Sequence, residues 1–507
     1  MKFPFGFLLF AFLFFPAGLQ AQDKALDRAD RLFKETYYPQ ALEIYAKFVK
    51  ENPRNKRATL RLAECYRLTN DSRNAYRWYA RVVKFKGIKP LVWFDYGQVL
   101  MVNRKYEAAI PWFEKYQQAV PEDQRAREMI EACLNLKSFA SQSRLYAIRK
   151  LRINSESSDF GPTFYGNKVV FASSRKRPLA KKYSRNGQSF LDLYVANYAG
   201  KAELIDPVLF RGKVNTPYHE ATACFSSDGK EMYFTRNNYQ KRKLAESKSG
   251  VVKLATYKSV LIDGKWQDAK PLPFNNVEYS VGHPCLSPDG KRLFFVSNIP
   301  GGMGGTDLYV AEKLGDSWAA PMPLGNTINT QGNEMFPWMD AVGNLYFASD
   351  GHAGLGGLDI YKAEWRADAF GPVTNMGAPI NSSHDDFGLI YRAADGLGFF
   401  TSNRPGGKGD DDIWAYIRLI PLVGFIRDHQ GNPIVDATVT VLTGRSALRL
   451  GADEEGKFIY GLRIGQKYKI IIDKTGFQKK EVQIDAAGMD RDQNNVRVIE
   501  LEKIITE

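Results

Sequence analysis

Short runs that alternate between apolar and polar residues, each closed by a turn, recur through the middle of the chain and set its organisation. In residues 282–313 the order is CLS, the turn Pro288-Asp289-Gly290, the run RLFFVS, a glycine-rich loop and then TDLYVAE. Such runs on either side of an Asp-Gly turn predict an antiparallel hairpin, and the third run predicts a strand beside it. The same order returns in residues 223–236, 337–361 and 389–414. A looser copy in 162–194 has VVFASSR and LDLYV separated by a basic insertion. Phe171, Phe234, Phe295, Phe347 and Phe400 hold the equivalent position, at steps of 63, 61, 52 and 53 residues. Several strands repeated at that period predict a propeller.

Upstream, the spacing is helical. Ala41, Ala75 and Ala109 lie 34 residues apart, are followed four residues later by Tyr45, Tyr79 and Phe113, and are preceded twelve residues earlier by Ala29, Ala63 and Gly97. Small residues on one helix facing aromatics on the next predict three closely packed helix pairs. The pattern resembles tetratricopeptide repeats, which implies a grooved solenoid that holds a peptide or helix of a partner.

Within the propeller stretch, the SPDGK turn at Ser287–Lys291, matched less fully at 227–230, resembles the TolB-type propeller family. The predicted ring has five blades, with a strand in residues 144–153 completing the last one; a sixth blade would have to be hidden in residues 239–275. After Tyr416, strands of about six residues separated by Gly, Asn and Asp turns predict a small β-sandwich. This part resembles the carboxypeptidase regulatory-like domain, a transthyretin-like sandwich. The fold class is therefore multidomain: an α-helical tetratricopeptide solenoid at 22–140, an all-β propeller at 141–418 and a transthyretin-like sandwich at 419–507.

Composition adds the compartment. A chain of 507 residues exceeds what one core supports, and 44% hydrophobic content belongs to a folded protein. Met1 to Ala21 holds one Lys, an apolar run and then PAGLQA, which predicts a secretory signal peptide over 1–21 and a location in the periplasm, associated with the outer membrane. No later run is long and apolar enough to span a bilayer as a helix. Cys65, Cys133, Cys224 and Cys285 lie in no metal spacing and are predicted to be free, buried thiols.

Charge and carboxylates supply the candidate sites. The net charge is +14, and residues 54–89 carry eleven Lys and Arg against Glu64 and Asp71. Arg73, Arg77 and Arg81 mark a docking surface for an acidic partner or for anionic envelope components, weighed against an ordinary solvated face; for an exported chain, nucleic acid is not expected as that partner. Asp159, Glu220, Glu334 and Asp386 occupy equivalent positions near the start of the innermost strands, with Val281 breaking the series. They predict either an acidic collar at one mouth of the channel or hydrogen bonds between neighbouring blades. Asp192, Asp307, Asp359 and Asp412 precede the third strands, where a carboxylate can accept N–H groups of the glycine-rich loop, with a cation site as the alternative. No catalytic, cofactor or metal signature is present: His219-Glu220 lacks the second His of a helical zinc site, and there is no nucleophile elbow.

The domain order as a whole resembles Bacteroidota envelope proteins associated with type IX secretion and gliding, without the OmpA-like domain and lipoprotein cysteine usual in them. That resemblance implies envelope protein partners, including outer-membrane secretion or motility components, with peptidoglycan contact at most indirect. The function expected is a non-catalytic scaffold. The rivals are a carbohydrate or peptide sensor using the propeller channel and a propeller hydrolase.

Overall fold

The structure, a computed structural model, describes residues 17–140, 144–176, 183, 186–240, 243–366, 369–394, 396–489 and 495–504, with side chains from residue 24 onward. The predicted leader lies outside the described residues except for the backbone of its last turn, and most of the basic insertion in the first blade also lies outside them.

The solenoid consists of α1 (Ala17–Lys34), α2 (Tyr38–Glu51), α3 (Lys56–Leu68), α4 (Ser72–Val82), α5 (Leu91–Val102), α6 (Tyr106–Ala119), α7 (Arg125–Leu134) and the short α8 (Leu136–Ala140). Asn55 and Asp71 cap α3 and α4 by accepting the N–H groups of Ala58 and Asn74 at 2.9 and 3.1 Å. The 34-residue pattern is the packing pattern: Ala29, Ala41, Ala63, Ala75 and Ala109 are fully buried, as are Tyr45, Tyr79 and Phe113. A Cβ on Gly97 would lie 2.5 Å from the Phe113 ring, so the absent side chain lets α5 and α6 close around that aromatic. No helix among the described residues is long and apolar enough to cross a membrane.

Five antiparallel sheets follow, and their inner strands are Asp159–Tyr165, Glu220–Phe225, Val281–Leu286, Glu334–Met339 and Asp386–Arg392. The middle strands, among them Arg292–Ser297 and Leu397–Ser402, are covered on both faces by neighbouring blades. They therefore read as nearly continuous apolar runs, with Phe171, Phe234, Phe295, Phe347 and Phe400 at most 1% exposed. Tyr146–Lys150 pairs antiparallel with Asp412–Arg418, Tyr146 opposite Arg418 and Lys150 opposite Trp414, and so supplies the outer strand of the fifth blade. The described residues of 239–275 hold a pair of two-residue strands, Leu254–Ile262 as the third strand of blade 2, and the short Lys265–Trp266 and Lys270–Pro271 that pair with it, and among them no sixth blade.

The C-terminal unit is a sandwich of two sheets. One has Ile420–Arg427 between Lys457–Leu462 and Asn495–Glu500; the other runs Ser446–Gly451, Thr438–Thr443, Lys467–Asp473, Lys480–Asp485. Ile420, Leu422, Val439, Val441, Ile470 and Ile472 form the core between them. Asn495–Glu500 runs parallel to Ile420–Arg427, a pairing that alternation alone does not reveal.

The three parts are tightly joined. Only Leu419 separates the last propeller strand from the first sandwich strand, and its N–H bonds the Leu145 carbonyl at 2.8 Å. On the solenoid side, Tyr106 donates to the Leu355 carbonyl at 2.9 Å. Gln331 accepts from the Gln124 N–H and donates to the Glu122 carbonyl, and the Ala378 N–H bonds the Phe139 carbonyl.

Candidate functional site

The structure sorts the basic stretch of the solenoid into committed and uncommitted charge. Arg57, Arg61 and Arg67 pair with Asp30, Glu64 and Asp95, and Lys56 donates to the Lys86 carbonyl at 3.0 Å. Arg73, Arg77 and Arg81 are exposed and have no ion pair among the described residues. Their spacing of four places them on one face of α4, and Arg81 lies over the Trp78 ring at 4.5 Å. The three form a stripe of guanidinium groups open to solvent.

The four inner-strand carboxylates do not form a collar. Asp159, Glu220, Glu334 and Asp386 are all fully buried, and each is satisfied within its own blade. The residue four positions earlier bonds the carboxylate through both its backbone N–H and its hydroxyl: Ser155, Thr216, Thr330 and Ser382. Arg175, Arg236 and Arg404 complete the first, second and fourth, and Ser349 takes that place for Glu334. Burial pushes Glu220 up to about 7 against the pull of Arg236. It pushes Glu334 to about 7 as well, with only hydroxyl and N–H donors opposing it. The reason these side chains offer nothing to a ligand is that a buried carboxylate must be fully hydrogen-bonded, and the turn preceding each strand does this locally.

Bonds between blades come partly from the backbone of these same residues: the N–H groups of Asp159, Glu220, Glu334 and Asp386 donate to the carbonyls of Asp411, Leu191, Thr306 and Leu358 in the preceding blade. Others come from a residue the sequence reading passed over. One asparagine in each turn clamps the third strand of the preceding blade. Its Oδ1 accepts the N–H, and its Nδ2 donates to the carbonyl, of Leu193 (from Asn215), Thr256 (Asn275), Leu308 (Asn329), Ile360 (Asn381) and Ile413 (Asn154). The sequence signal was there: Asn-[Ser/Thr] followed four residues later by Asp or Glu occurs at 154–159, 215–220, 329–334 and 381–386.

The strand-start aspartates act on the glycine-rich loops as the structural reading expected. Asp307 accepts from Met303 and Gly304 at 3.0 and 3.4 Å, Asp359 from Leu355, and Asp412 from Lys408 and Gly409. Glycine is required there by crowding. A Cβ on Gly302, Gly354 or Gly407 would strike the carboxylate it surrounds, and one on Gly356 or Gly409 would strike the backbone of the turn in the next blade. Among the described residues no group of three or more His, Cys, Asp and Glu side chains is placed to hold a metal ion.

The channel is filled at the level of the inner-strand bulges. Each inner strand shifts register there, and His283 and Phe336 take left-handed φ values of +50° and +53°. The Phe336 ring lies 4.4 Å from Phe387, 4.1 Å from His283 and 6.4 Å from Phe160, while His283 Nδ1 is 3.0 Å from the Thr222 hydroxyl. Blades 1 and 4 are not neighbours, so a Phe160–Phe336 contact must cross the axis. The cavity remaining at this level measures about 40 Å³, room for little more than a water molecule.

A larger concavity lies where the solenoid meets the propeller. This cleft of about 680 Å³ is walled on one side by the α3–α4 turn and the end of α5, and on the other by loops of blades 4 and 5.

Comparison with known proteins supports the helical assignment. The tetratricopeptide repeat family profile matches residues 26–87 and 69–124. No curated protein matches the chain. Among solved structures, the chain is similar to MamA from Desulfovibrio magneticus RS-1 (17% identity, 22% of this chain and 63% of that one, TM-score 0.21). It is also similar to the Yersinia enterocolitica type III secretion chaperone SycD in complex with a peptide of the translocator YopD (17%, 23% and 95%, TM-score 0.21). The β-rich part is similar to a gluconolactonase from Xanthomonas campestris (12%, 55% and 92%, TM-score 0.32). Likenesses this distant carry no functional argument. The N-terminal region is a tetratricopeptide repeat domain, the kind of solenoid that mediates protein–protein interaction.

Proposed function

We propose that the chain is an exported, non-catalytic scaffold at the periplasmic side of the outer membrane, which gathers protein partners for secretion or gliding machinery of the type IX class. The observation that carries this reading is the stripe of Arg73, Arg77 and Arg81, exposed and without ion pairs among the described residues, on a tetratricopeptide solenoid. Clustered charge on a rigid helix steers association with an acidic partner surface. The propeller serves as the frame: its asparagines clamp neighbouring blades, its inner-strand carboxylates tie the turns within their own blades, and the aromatic plug leaves no ligand-sized space at the level of the inner-strand bulges. The envelope setting rests on the predicted leader and on the order of the domains.

In-cell cross-linking of a tagged chain, followed by envelope fractionation, tests the proposal. Links from the solenoid to outer-membrane secretion or motility components are expected; an uncomplexed chain in the soluble periplasm would refute it. Replacing Arg73, Arg77 and Arg81 together by Glu should weaken capture, more at low salt than at high, because the screening length falls from about 10 Å at 0.1 M to about 3 Å at 1 M. Capture unchanged at every salt concentration would remove the stripe from the interface.

A further inference from the structure

The cleft between solenoid and propeller combines groups that no other surface described above brings together. From the solenoid come Asn70, Arg73 and Gln98, whose side chains have no hydrogen-bond or ion-pair partner among the described residues. His384 comes from the turn before the inner strand of blade 5. Its Nδ1 lies 3.1 Å from the Ser383 hydroxyl, and its Nε2 has no partner among the described residues. The same propeller wall carries Asp350 and Asp385, each tied to an asparagine across its blade: Asn333 donates to Asp350 at 2.9 Å and Asn403 to Asp385 at 2.8 Å. That wall is therefore rigid and acidic; on the helical wall opposite, Asp71 caps α4 and Arg67 is paired with Asp95, which leaves Arg73, Asn70 and Gln98 uncommitted.

We propose that this cleft binds an extended peptide segment carrying a carboxylate, held by Arg73 at the mouth and by the Gln98 and Asn70 carboxamides and His384 inside. This rests on the proposed reading of the solenoid as a partner-binding element and names the chemistry its partner presents. A carboxamide has one acceptor oxygen and a donor NH₂ group, the complement of a peptide backbone unit. A guanidinium offers a planar fork to a carboxylate. A small inorganic anion does not suit the site, because Asp350 and Asp385 face the same space; a ligand with backbone donors as well as a carboxylate suits both walls. A space of about 680 Å³ is within the range of sites for ligands of several hundred daltons, here a short stretch of chain. Arg81, Arg77 and Arg73 follow one another along α4, so the stripe leads an acidic segment to the cleft.

The test uses the full chain as bait for two displayed pools of random octapeptides. One pool has a free C-terminal carboxylate; the other is amidated and carries one fixed internal glutamate. Enriched peptides are resynthesised with a fluorophore and measured by anisotropy. Enrichment from the first pool identifies a terminal carboxylate and from the second a side-chain carboxylate, and either supports the proposal. Arg73→Ala, Gln98→Ala and His384→Ala should each weaken binding about tenfold or more, while Arg445→Ala, in an exposed hairpin turn of the sandwich, changes it less than twofold. The His384 variant is decisive because it lies on the propeller side. Enriched peptides that bind the His384→Ala chain as tightly as the parent would overturn the composite site, and so would no enrichment from either pool. Cross-links from the solenoid to envelope partners that persist in that outcome would leave the scaffold reading standing and remove only the cleft.

Discussion

Replacing Asn329 by Ala isolates one clamp between blades. Asn329 is 1% exposed, and its amide makes two bonds to a single buried residue: Oδ1 accepts the Leu308 N–H at 2.8 Å, and Nδ2 donates to the Leu308 carbonyl at 3.1 Å. Truncation to Ala removes both partners at once. Because Leu308 is fully buried, water does not take their place. The Leu308 carbonyl keeps its bond from the Leu324 N–H at 3.0 Å, so the Leu308 N–H is the group left orphaned, at a cost of about 1–3 kcal/mol concentrated at the junction of blades 3 and 4. At about 1.4 kcal/mol per factor of ten, that raises the local opening equilibrium by a factor of about 5 or more. Hydrogen exchange with mass spectrometry on the full chain reads this directly, through peptides covering Asp307–Leu314. Global denaturation is a poorer probe, since a chain of several domains need not unfold in one step. Asn432→Ala, in an exposed turn of the sandwich where Asn432 bonds Asp428 at 3.1 Å, is the matched control and should leave that peptide unchanged. If exchange in residues 307–314 rises less than threefold in the Asn329 variant, the clamp does not hold the blades together.

Three further outcomes follow from the same geometry. Glu334 has a folded pKa of about 7 against 4.5 in the unfolded chain, so the folded protein holds more protons between those values and stability falls as pH rises through that window, by on the order of 3 kcal/mol; Glu334→Gln should remove its share of that slope in thermal unfolding, and a slope identical to the parent's would contradict the assignment. Gly354→Ala places a methyl group against the Asp359 carboxylate and 2.8 Å from the Tyr361 hydroxyl, and should lower the thermal midpoint by several degrees; an unchanged midpoint would mean the loop can relax. All four thiols are free and buried, and burial raises Cys65, Cys133 and Cys285 to about 12, so a thiol reagent should label none in the native chain and four in guanidinium; prompt native labelling would contradict the packing.

Periodicity carried the architecture because it reports burial. The Phe171-to-Phe400 series marked the middle strands, the 34-residue alanines marked the helix pairs, and the leftover strand before residue 150 found its place as the missing edge of blade 5. What periodicity could not report was which polar groups face each other. Asn329 looks like any turn asparagine until Leu308, 21 residues earlier, is known to pass beside it. Asp159 and its equivalents were correctly grouped, and their backbone N–H groups do bond the preceding blade, but the carboxylates' own partners were not legible, since a carboxylate at the start of an inner strand reads the same whether it faces a channel or folds back on the serine or threonine four residues before it. Phe336 gave no hint of left-handed backbone, because a bulky aromatic disfavours it, and His283, of a residue type enriched there, stood in a strand pattern that pointed to extended backbone. The cleft lay beyond reach for a different reason: its two walls are about 250 or more positions apart, in domains whose docking depends on contacts such as Tyr106 to Leu355.

The strand that closes the ring also decides how the chain would carry tension. It enters the propeller just before Tyr146 and leaves just after Arg418, and these two residues face each other at the same end of one antiparallel pair. A pull between a partner held by the solenoid and one held by the sandwich therefore meets that pair end-on, so its bonds are loaded one after another rather than together. The helical contacts to blade 4 and the Leu419–Leu145 bond would act as the lock on this seam. Once they release, the fifth blade would peel open from its edge while the other four remain folded, giving the molecule a defined place to yield under load.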